Sequence, residues 1–462
     1  MTLERTHTSQ SHHSKHAGHP HSHSHHHHYH PSQSHPHNAL HKTKTNQSIN
    51  GEETPDHLHG HLNHLTPEQE RALEEFKAVC SEKELYTPAE EGKAASHDDP
   101  TLLRFLRARK FDVNGALEQF QGTEEWRKTN RLDVLYENID IDSYEHARRV
   151  YPQWTGRRDR RGIPVFVYMI RHLHSKHMAA YSSGAASNAT SSTHASSTVP
   201  PRLLRLFALY ESMTRFVMPL CSSLPRPNPE TPITSTTNIV DVSGVGLKQF
   251  WNLKGHMQDA SVLATAHYPE TLDRIFIIGA PSFFPTVWSW IKRWFDPVTT
   301  SKIFILCSSE VKSTLTSYMD PSSFPKQYGG ELEWQWGDMP NLDEATRELA
   351  GVLEHLGPKG DGEISFENSS ESVEERKKGF VKGPIAWLKD RIEIFGSIDG
   401  QVRRRTIPVR QKNEDKKLDE VVHAEFVETN GVMEVAPLTT ADEEEMPGPT
   451  IETQANGNTV SS

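Results

Sequence analysis

Long apolar runs are missing from this chain. No window approaches 18 uninterrupted apolar residues, which excludes a membrane-spanning helix. The opening stretch MTLERTHTSQSHHSKHAGH has no apolar core of the kind a secretory signal carries. Cysteine is scarce: Cys80, Cys221 and Cys307 are odd in number and far apart. They supply neither a disulfide framework nor a metal cluster, which suits a reducing compartment, and the expected setting is the cytoplasm. Catalytic signatures are missing too, with no G-x-S-x-G elbow, no G-x-x-x-x-G-K-[ST] loop, no H-E-x-x-H and no G-x-G-x-x-G. An enzyme would need an unmarked constellation, whereas a carrier needs none of these. The expectation is a non-enzyme with no catalytic residues, no metal and no cofactor, and nothing suggests nucleic acid.

Histidine and negative charge are present in excess, at opposite ends. Residues 1–64 hold 19 of the 29 histidines among Ser, Pro and Asn. Such a segment cannot bury enough surface to offset its ordering entropy and is expected to be a disordered arm. Its imidazoles could bind zinc, nickel or copper loosely, or charge below about pH 6.5, but a low-complexity polar arm without a dedicated ligand set is the favoured reading. Most of the net charge of −11 falls from Gln411 onward, where acids exceed bases by nine. The rest is nearly neutral and compatible with an anionic membrane surface.

Between these ends the pattern changes twice. TPEQERALEEFKAVCSEK opens with Thr-Pro and first-turn acids, a helix start. DDPTLLRFLRARK repeats the pattern with Asp99 as the expected cap, and DVNGALEQFQGTEEWRKTN adds a third helix with Leu117, Phe120 and Trp126 as core anchors. Residues 65–150 therefore read as a small helical subdomain. IPVFVYMI, TNIVDVSG, DRIFIIGAP and SKIFILCSS are short Val/Ile/Phe-rich runs separated by helical patterns. Three of them do not alternate, as expected of strands buried on both faces, so residues 151–340 read as an α/β domain with a largely parallel sheet. A Ser/Ala/Thr-rich insertion interrupts it at 176–201. Residues 341–462 read as a polar, acidic, mostly disordered tail, with hints of structure in GPIAWLKDRIEIFG and in the Asn-Gly of HAEFVETNGVMEVAPL.

One segment departs from the rest. In PTVWSWIKRWF, helical spacing places Val287, Trp288, Trp290, Ile291, Trp294 and Phe295 on one arc of about 160°, with Thr286, Ser289, Lys292 and Arg293 opposite. The helix is expected to end near Asp296 and Pro297. One reading is a helix packed permanently on a core. The other is a movable lid over a greasy cavity, because three indoles and a basic edge suit a boundary between apolar and wet phases. In DPVTTSK, Thr299 near a helix start and Lys302 three residues on could together hold a phosphate.

TLLRFLRARKFDV, VYPQWTGRRDRRGIPVFV, IVDVSGV, HYPETLDRIFIIGAPSFFPTVW, FDPVTTSKIFIL and FPKQYGGELE, in that order, resemble the CRAL-TRIO lipid-binding family. Within it the similarity is to fungal secretory phosphatidylinositol/phosphatidylcholine transfer proteins, over about residues 65–340. The resemblance implies a sheet flooring a hydrophobic lipid pocket, closed by a gating helix whose place the Trp-rich segment takes. It also implies phosphatidylinositol headgroup contacts at Arg109, Lys110, Glu270, Thr299 and Lys302. The phosphatidylcholine side departs from the family, with Thr236 retained but Asn238 and Phe166 replacing hydroxyl residues. A second lipid could therefore be a sterol or another hydrophobe. Three functions stand: a phosphatidylinositol carrier that exchanges lipid and presents it to lipid kinases, a carrier of another hydrophobe, or a lipid-sensing adaptor. Phospholipid is the expected bound ligand, with a peripheral contact to Golgi, endosomal or other intracellular membranes and a monomeric state.

Overall fold

The computed structural model describes residues 55–173, 201–294, 300–350 and 382–409. Helix α1 (Pro67–Glu82) begins in a capping box: Thr66 Oγ1 accepts from the Gln69 amide, and Gln69 Oε1 accepts from the Thr66 amide at 3.0 Å. Helix α2 (Asp99–Ala108) is capped by Asp98 rather than Asp99, its carboxylate accepting from the Thr101 amide at 3.0 Å. Helices α3 (Val113–Thr129), α4 (Leu132–Asn138) and α5 (Ile141–Arg148) follow. Phe120 receives the ring edges of Phe76 and Phe105 at 5.7 and 5.1 Å, which fixes α1, α2 and α3 on one core.

The arm expected over 1–64 gives way to structure earlier than that boundary. Residues Pro55–Leu58 form a 3-10 turn, Leu62 packs against the α1–α3 core, and Asn63 Nδ2 donates to the Glu230 carbonyl at 2.6 Å. Gly60, at φ 76°, allows the turn: a Cβ there would meet the Phe111 ring at 3.3 Å.

Strands β1 (Gln153–Arg158), β2 (Pro164–Met169), β3 (Thr236–Asp241), β4 (Leu272–Ile278) and β5 (Ile303–Leu306) form one sheet in sequence order. The β1–β2 pair is antiparallel and the other three are parallel, so the fold is α/β with a largely parallel sheet after a helical N-terminal region. Helix α6 (Pro201–Ser212) runs through a π-turn (Met213–Val217) into α7 (Met218–Ser223). Helices α8 (Leu247–His267) and α9 (Phe284–Ile291) flank β4, and α10 (Val311–Tyr318) follows β5. Both sheet faces are covered, as nonalternating strands require. Val165, Val167, Ile239, Phe276 and Ile278 pack with Leu315 of α10, Met319 and Phe324. On the other face Val240, Ile275 and Ile277 pack with Leu206 of α6, Leu253 of α8 and Val287 of α9. The low-complexity insertion at 176–201 lies almost wholly outside the described residues.

The tail expected from 341 onward also contains more structure than its composition suggests. Helix α11 (Glu344–Ala350) is followed by β6 (Ile385–Trp387), β7 (Arg391–Ile398) and β8 (Gln401–Pro408), an antiparallel sheet in sequence order. Ile385, Trp387, Ile392, Ile394 and Ile407 join Trp154, Phe166 and Phe216 in one apolar cluster, and Phe395 meets Tyr136 edge-on at 5.2 Å. The sheet is thereby part of the fold, because its alternating Ile side chains are buried against α/β-domain residues. The Asn-Gly signal in HAEFVETNGVMEVAPL lies outside the described residues.

Candidate functional site

The turn from α8 into β4 holds Glu270 at φ 57°, a left-handed conformation that costs a residue with a Cβ about 1–2 kcal/mol. Its Oε2 accepts from Arg107 Nη2 of α2 at 2.9 Å and from Lys302 Nζ, just before β5, at 3.4 Å. Lys302 also donates to the Leu272 carbonyl at 3.1 Å. A carboxylate and two cations, none more than a quarter exposed, thus meet at the start of β4 and β5. Asp273 is next to them, joined to Arg161. Burial would raise the Asp273 carboxyl, but Arg161, Arg274 and Lys302 outweigh it and hold it below the usual range. Burial lowers the Arg107 guanidinium, against the opposing pull of Glu270 and Asp273. His61, from the segment expected in the arm, is half-buried beside it. Burial first, then the Arg107 charge, pushes its imidazole down to about 3, so it is neutral at physiological pH.

Two of the five expected headgroup residues, Glu270 and Lys302, are brought together. Arg109 and Lys110 are exposed, Arg109 as the C-cap of α2 and Lys110 just beyond at φ 53°. Thr299 lies outside the described residues, as do Asp296 and Pro297. Arg107 was not anticipated. Its sequence signal is weak: it follows Leu103 by four residues and therefore sits at the edge of the buried face of α2.

Phe166 and Asn238 are register partners on β2 and β3, and Asn238 is paired in turn with Ile275 on β4. Asn238 Nδ2 donates to Thr236 Oγ1 at 2.8 Å, and Thr236 Oγ1 donates to the Thr271 carbonyl at 3.1 Å. The two polar residues, both buried, satisfy each other, while Phe166 joins the Trp154–Phe216 cluster.

Helix α9 carries the Trp-rich segment, extended by a 3-10 turn Lys292–Trp294. Within the expected arc the buried part is its middle, Val287 and Ile291 together with Phe284 at i, i+3 and i+7, and the two tryptophans Trp288 and Trp290 lie at its edges. Trp288 flanks the stripe half-buried, stacked on Phe284 at 6.4 Å. Trp290 lies on the other flank, 37% exposed, with its ring 5.3 Å from that of Trp251 on α8, itself 55% exposed. Lys254 Nζ sits 5.1 Å from the Trp251 ring, and Lys292 and Arg293 are exposed. The Trp294 side chain and Phe295 lie outside what is described. One helix therefore has a face closed on the sheet and an indole edge open to solvent.

A polar cleft of about 220 Å³ lies elsewhere, lined by Arg158, Arg160, Arg226 and Asp343 among others. Its Arg158 is paired with Asp343 at 2.9 Å and its Arg226 donates to backbone carbonyls, an arrangement that suits a structural seam better than an acyl chain. Among the described residues no group of three or more His, Cys, Asp or Glu could hold a metal ion, and no helix is long and apolar enough to cross a membrane.

Residues 148–330 match the CRAL/TRIO domain and residues 72–122 the CRAL/TRIO N-terminal domain. A SEC14 cytosolic factor of Eremothecium gossypii is 32% identical over 276 residues, covering 60% of this chain and 80% of its own. The SEC14 cytosolic factor of Yarrowia lipolytica is 32% identical over 302 residues, 65% of this chain and 55% of its own. In Arabidopsis thaliana, the phosphatidylinositol/phosphatidylcholine transfer protein SFH9 is 30% identical over 269 residues, 58% of this chain and 42% of its own. This chain thus spans only about half the length of the last two.

Proposed function

The chain belongs to the CRAL/TRIO family, and from that premise we propose that it is a lipid carrier that binds phosphatidylinositol behind α9 and exchanges it at membrane surfaces. The observation that carries the reading is the division of α9 between Val287 and Ile291, closed on the apolar sheet face, and Trp290, open beside Trp251. A helix so divided can exchange its sheet contacts for acyl chains when its outer edge meets a bilayer.

The polar set supports the same reading for the headgroup. Lys302 is paired with Glu270, and Glu270 also has Arg107. A phosphodiester could draw the Lys302 ammonium away and still leave Glu270 paired, so no buried charge is stranded. Arg109 and Lys110, exposed beyond α2, are free to meet the inositol side, and Thr299 belongs to the same proposed contact set. The work is binding and exchange rather than catalysis, in line with transfer proteins such as the plant relative, and it places the chain peripherally on intracellular membranes. Presentation of the lipid to kinases belongs to this proposal as well.

A second reading, a carrier of a sterol or other hydrophobe, is favoured by Asn238 and Thr236. Their mutual bond leaves little capacity for a choline phosphate, and Phe166 has no hydroxyl to offer. One experiment separates the two: transfer of labelled phosphatidylinositol and phosphatidylcholine between vesicles by wild type and Lys302→Ala. We expect phosphatidylinositol transfer by wild type, its loss in a folded Lys302→Ala, and weak phosphatidylcholine transfer by both. A folded wild type that moves no phosphatidylinositol would sink the first reading and leave the second.

A further inference from the structure

The turn between β1 and β2, at 159–163, lies at the end of the sheet where β2, β3, β4 and β5 all begin, because those four strands are parallel. Asp159 builds the turn. Its Oδ1 accepts from the Arg161 and Ile163 amides at 2.9 and 3.0 Å, and its Oδ2 accepts from Thr237 Oγ1 of β3 at 3.0 Å. With its backbone held this way, Arg161 sends its guanidinium past β3 to the start of β4. There Nη1 donates to Asp273 Oδ1 at 3.2 Å and Nη2 to Asp273 Oδ2, a two-bond clasp, while Nη2 stays 3.5 Å from Asp159. A polar chain thus crosses the strand starts, from Thr237 through Asp159 and Arg161 to Asp273.

The chain stops one residue short of the headgroup set. Lys302 Nζ donates to the carbonyl of Leu272, the residue just before Asp273, at 3.1 Å, yet the carboxylate it pairs with is Glu270, at 3.4 Å. Among the described residues the ion-pair partners of Asp273 are Arg161 and, at 3.4 Å, Arg274, and not Lys302. The Arg274 guanidinium rests on the Tyr318 ring at 4.5 Å and is the lesser partner. Burial would raise the Asp273 carboxyl; of the charges that hold it low, Arg161 weighs most and Lys302 less than either arginine. The Asp273 side chain is only 22% exposed, so a carboxylate deprived of Arg161 would turn to the nearest ammonium rather than to water.

We propose that Arg161 is a positioning residue for the headgroup site: by occupying Asp273 it keeps a second carboxylate from closing on Lys302, and so leaves the ammonium for a phosphodiester to claim. In this arrangement a phosphodiester competes with Glu270 alone; without Arg161 it would compete with two carboxylates. Arg161 need touch no lipid, because its effect on cargo passes through Asp273 and Lys302. This role rests on the carrier reading above, but the state of Lys302 can be read without any lipid.

The test is acetylation of the full chain by acetic anhydride at about pH 8, where the rate at a lysine follows how readily its ammonium gives up a proton. Mass spectrometry reads the modification at Lys302, and transfer of labelled phosphatidylinositol between vesicles is measured beside it. In Arg161→Gln, which keeps a donor toward Asp273 but no charge, Lys302 acetylation should slow about tenfold, the effect of one added carboxylate nearby, and transfer should fall by a similar factor. Arg161→Gln/Asp273→Asn has no carboxylate left to release and should restore both. A mere structural staple would behave otherwise, since the double variant loses it just as fully. If Arg161→Gln does not fold, Glu270→Gln and Asp273→Asn decide: the first should speed Lys302 acetylation about tenfold, the second about twofold at most. Equal effects of those two overturn the proposal. So do unchanged acetylation in folded Arg161→Gln, a loss that the double variant does not recover, and slowed acetylation with undiminished transfer beside an active wild type. A wild type that moves no phosphatidylinositol sinks the carrier reading instead, and the acetylation series still decides what Arg161 does to Lys302.

Discussion

Replacing Trp290 with alanine tests whether α9 is a lid or a permanent part of the core, and Val287→Ala supplies the matched control. Val287 is 1% exposed, so its truncation removes about two fully buried carbons at about 0.8 kcal/mol each and leaves a small cavity, roughly 2 kcal/mol of stability in all. Trp290 loses its partial burial and its edge contact with Trp251 (5.3 Å, 65°), and its stability cost should be similar, about 1–2 kcal/mol. Membrane affinity is where the two should part. With 37% of its surface open, an indole of up to about 250 Å² leaves roughly 90 Å² to bury in a bilayer, worth about 2 kcal/mol or about thirtyfold in affinity. Val287 faces the sheet and has no such surface to contribute. Denaturant melts and vesicle sedimentation on both variants give the comparison, with lipid exchange expected to follow the sedimentation. Equal vesicle affinity for Trp290→Ala and wild type, or an equal loss in Val287→Ala, would refute the lid argument and make α9 ordinary core.

Two further outcomes follow from the surrounding structure. Glu211 is buried, accepts from Arg127 at 2.6 and 3.0 Å and from the Tyr268 hydroxyl at 2.8 Å; burial would raise its carboxyl, but Arg127 and these bonds outweigh it and hold it below the usual range. A depressed folded pKa gives stability that is complete above the unfolded value of about 4.3 and lost as pH falls through the folded one, so Glu211→Gln should cost about 3 kcal/mol at pH 7 in a thermal or urea melt, a gap that closes below about pH 4. Deleting residues 1–54 should leave the melting temperature unchanged, whereas deletion through 64 should lower it by several degrees, because the packing of Leu62 on the α1–α3 core, His61 beside Arg107 and the Asn63 bond to the Glu230 carbonyl are then lost; equal effects would mean that the Pro55–His64 segment contributes nothing.

The parallel sheet was legible because β2 is a continuous apolar run after Gly-Ile-Pro, β4 ends in Ile-Phe-Ile-Ile before a Gly and β3 carries Ile-Val without alternation, and the capping box at Thr66 announced α1. The C-terminal sheet was legible only in half. In β7 the alternation Ile392, Ile394 marks a strand, but β8 reads QVRRRTIP, and its place depends on pairing with β7 rather than on any apolar period of its own. The segment before α1 was hidden for a related reason. Two leucines among histidines look insufficient until Gly60 turns them against Phe111 and α2. Helical spacing alone gave the arc of the Trp-rich helix but not how much of it the fold covers: Val287 and Ile291 at its middle are buried, whereas Trp290 at its edge stays open beside Trp251.

The candidate site was harder to read than the fold, since its central partner comes from a helix more than 160 residues away in sequence. Helix α2 presents Arg104 and Arg107, one turn apart, to the same α8–β4 turn: Arg104 Nη1 donates to the Pro269 carbonyl at 3.5 Å and Arg107 Nη2 to Glu270 at 2.9 Å. Burial pushes the Arg104 guanidinium down to about 10, a desolvation cost that an exposed arginine would not carry. Glu270 adds its own cost through its left-handed backbone. Both costs fall on one turn, and both are opposed by contacts from the helical N-terminal region. That region is therefore more than a support for the lobe. By clamping the turn it sets where the Glu270 carboxylate points, and through Glu270 it sets the position of the Lys302 ammonium that the proposed headgroup would have to claim.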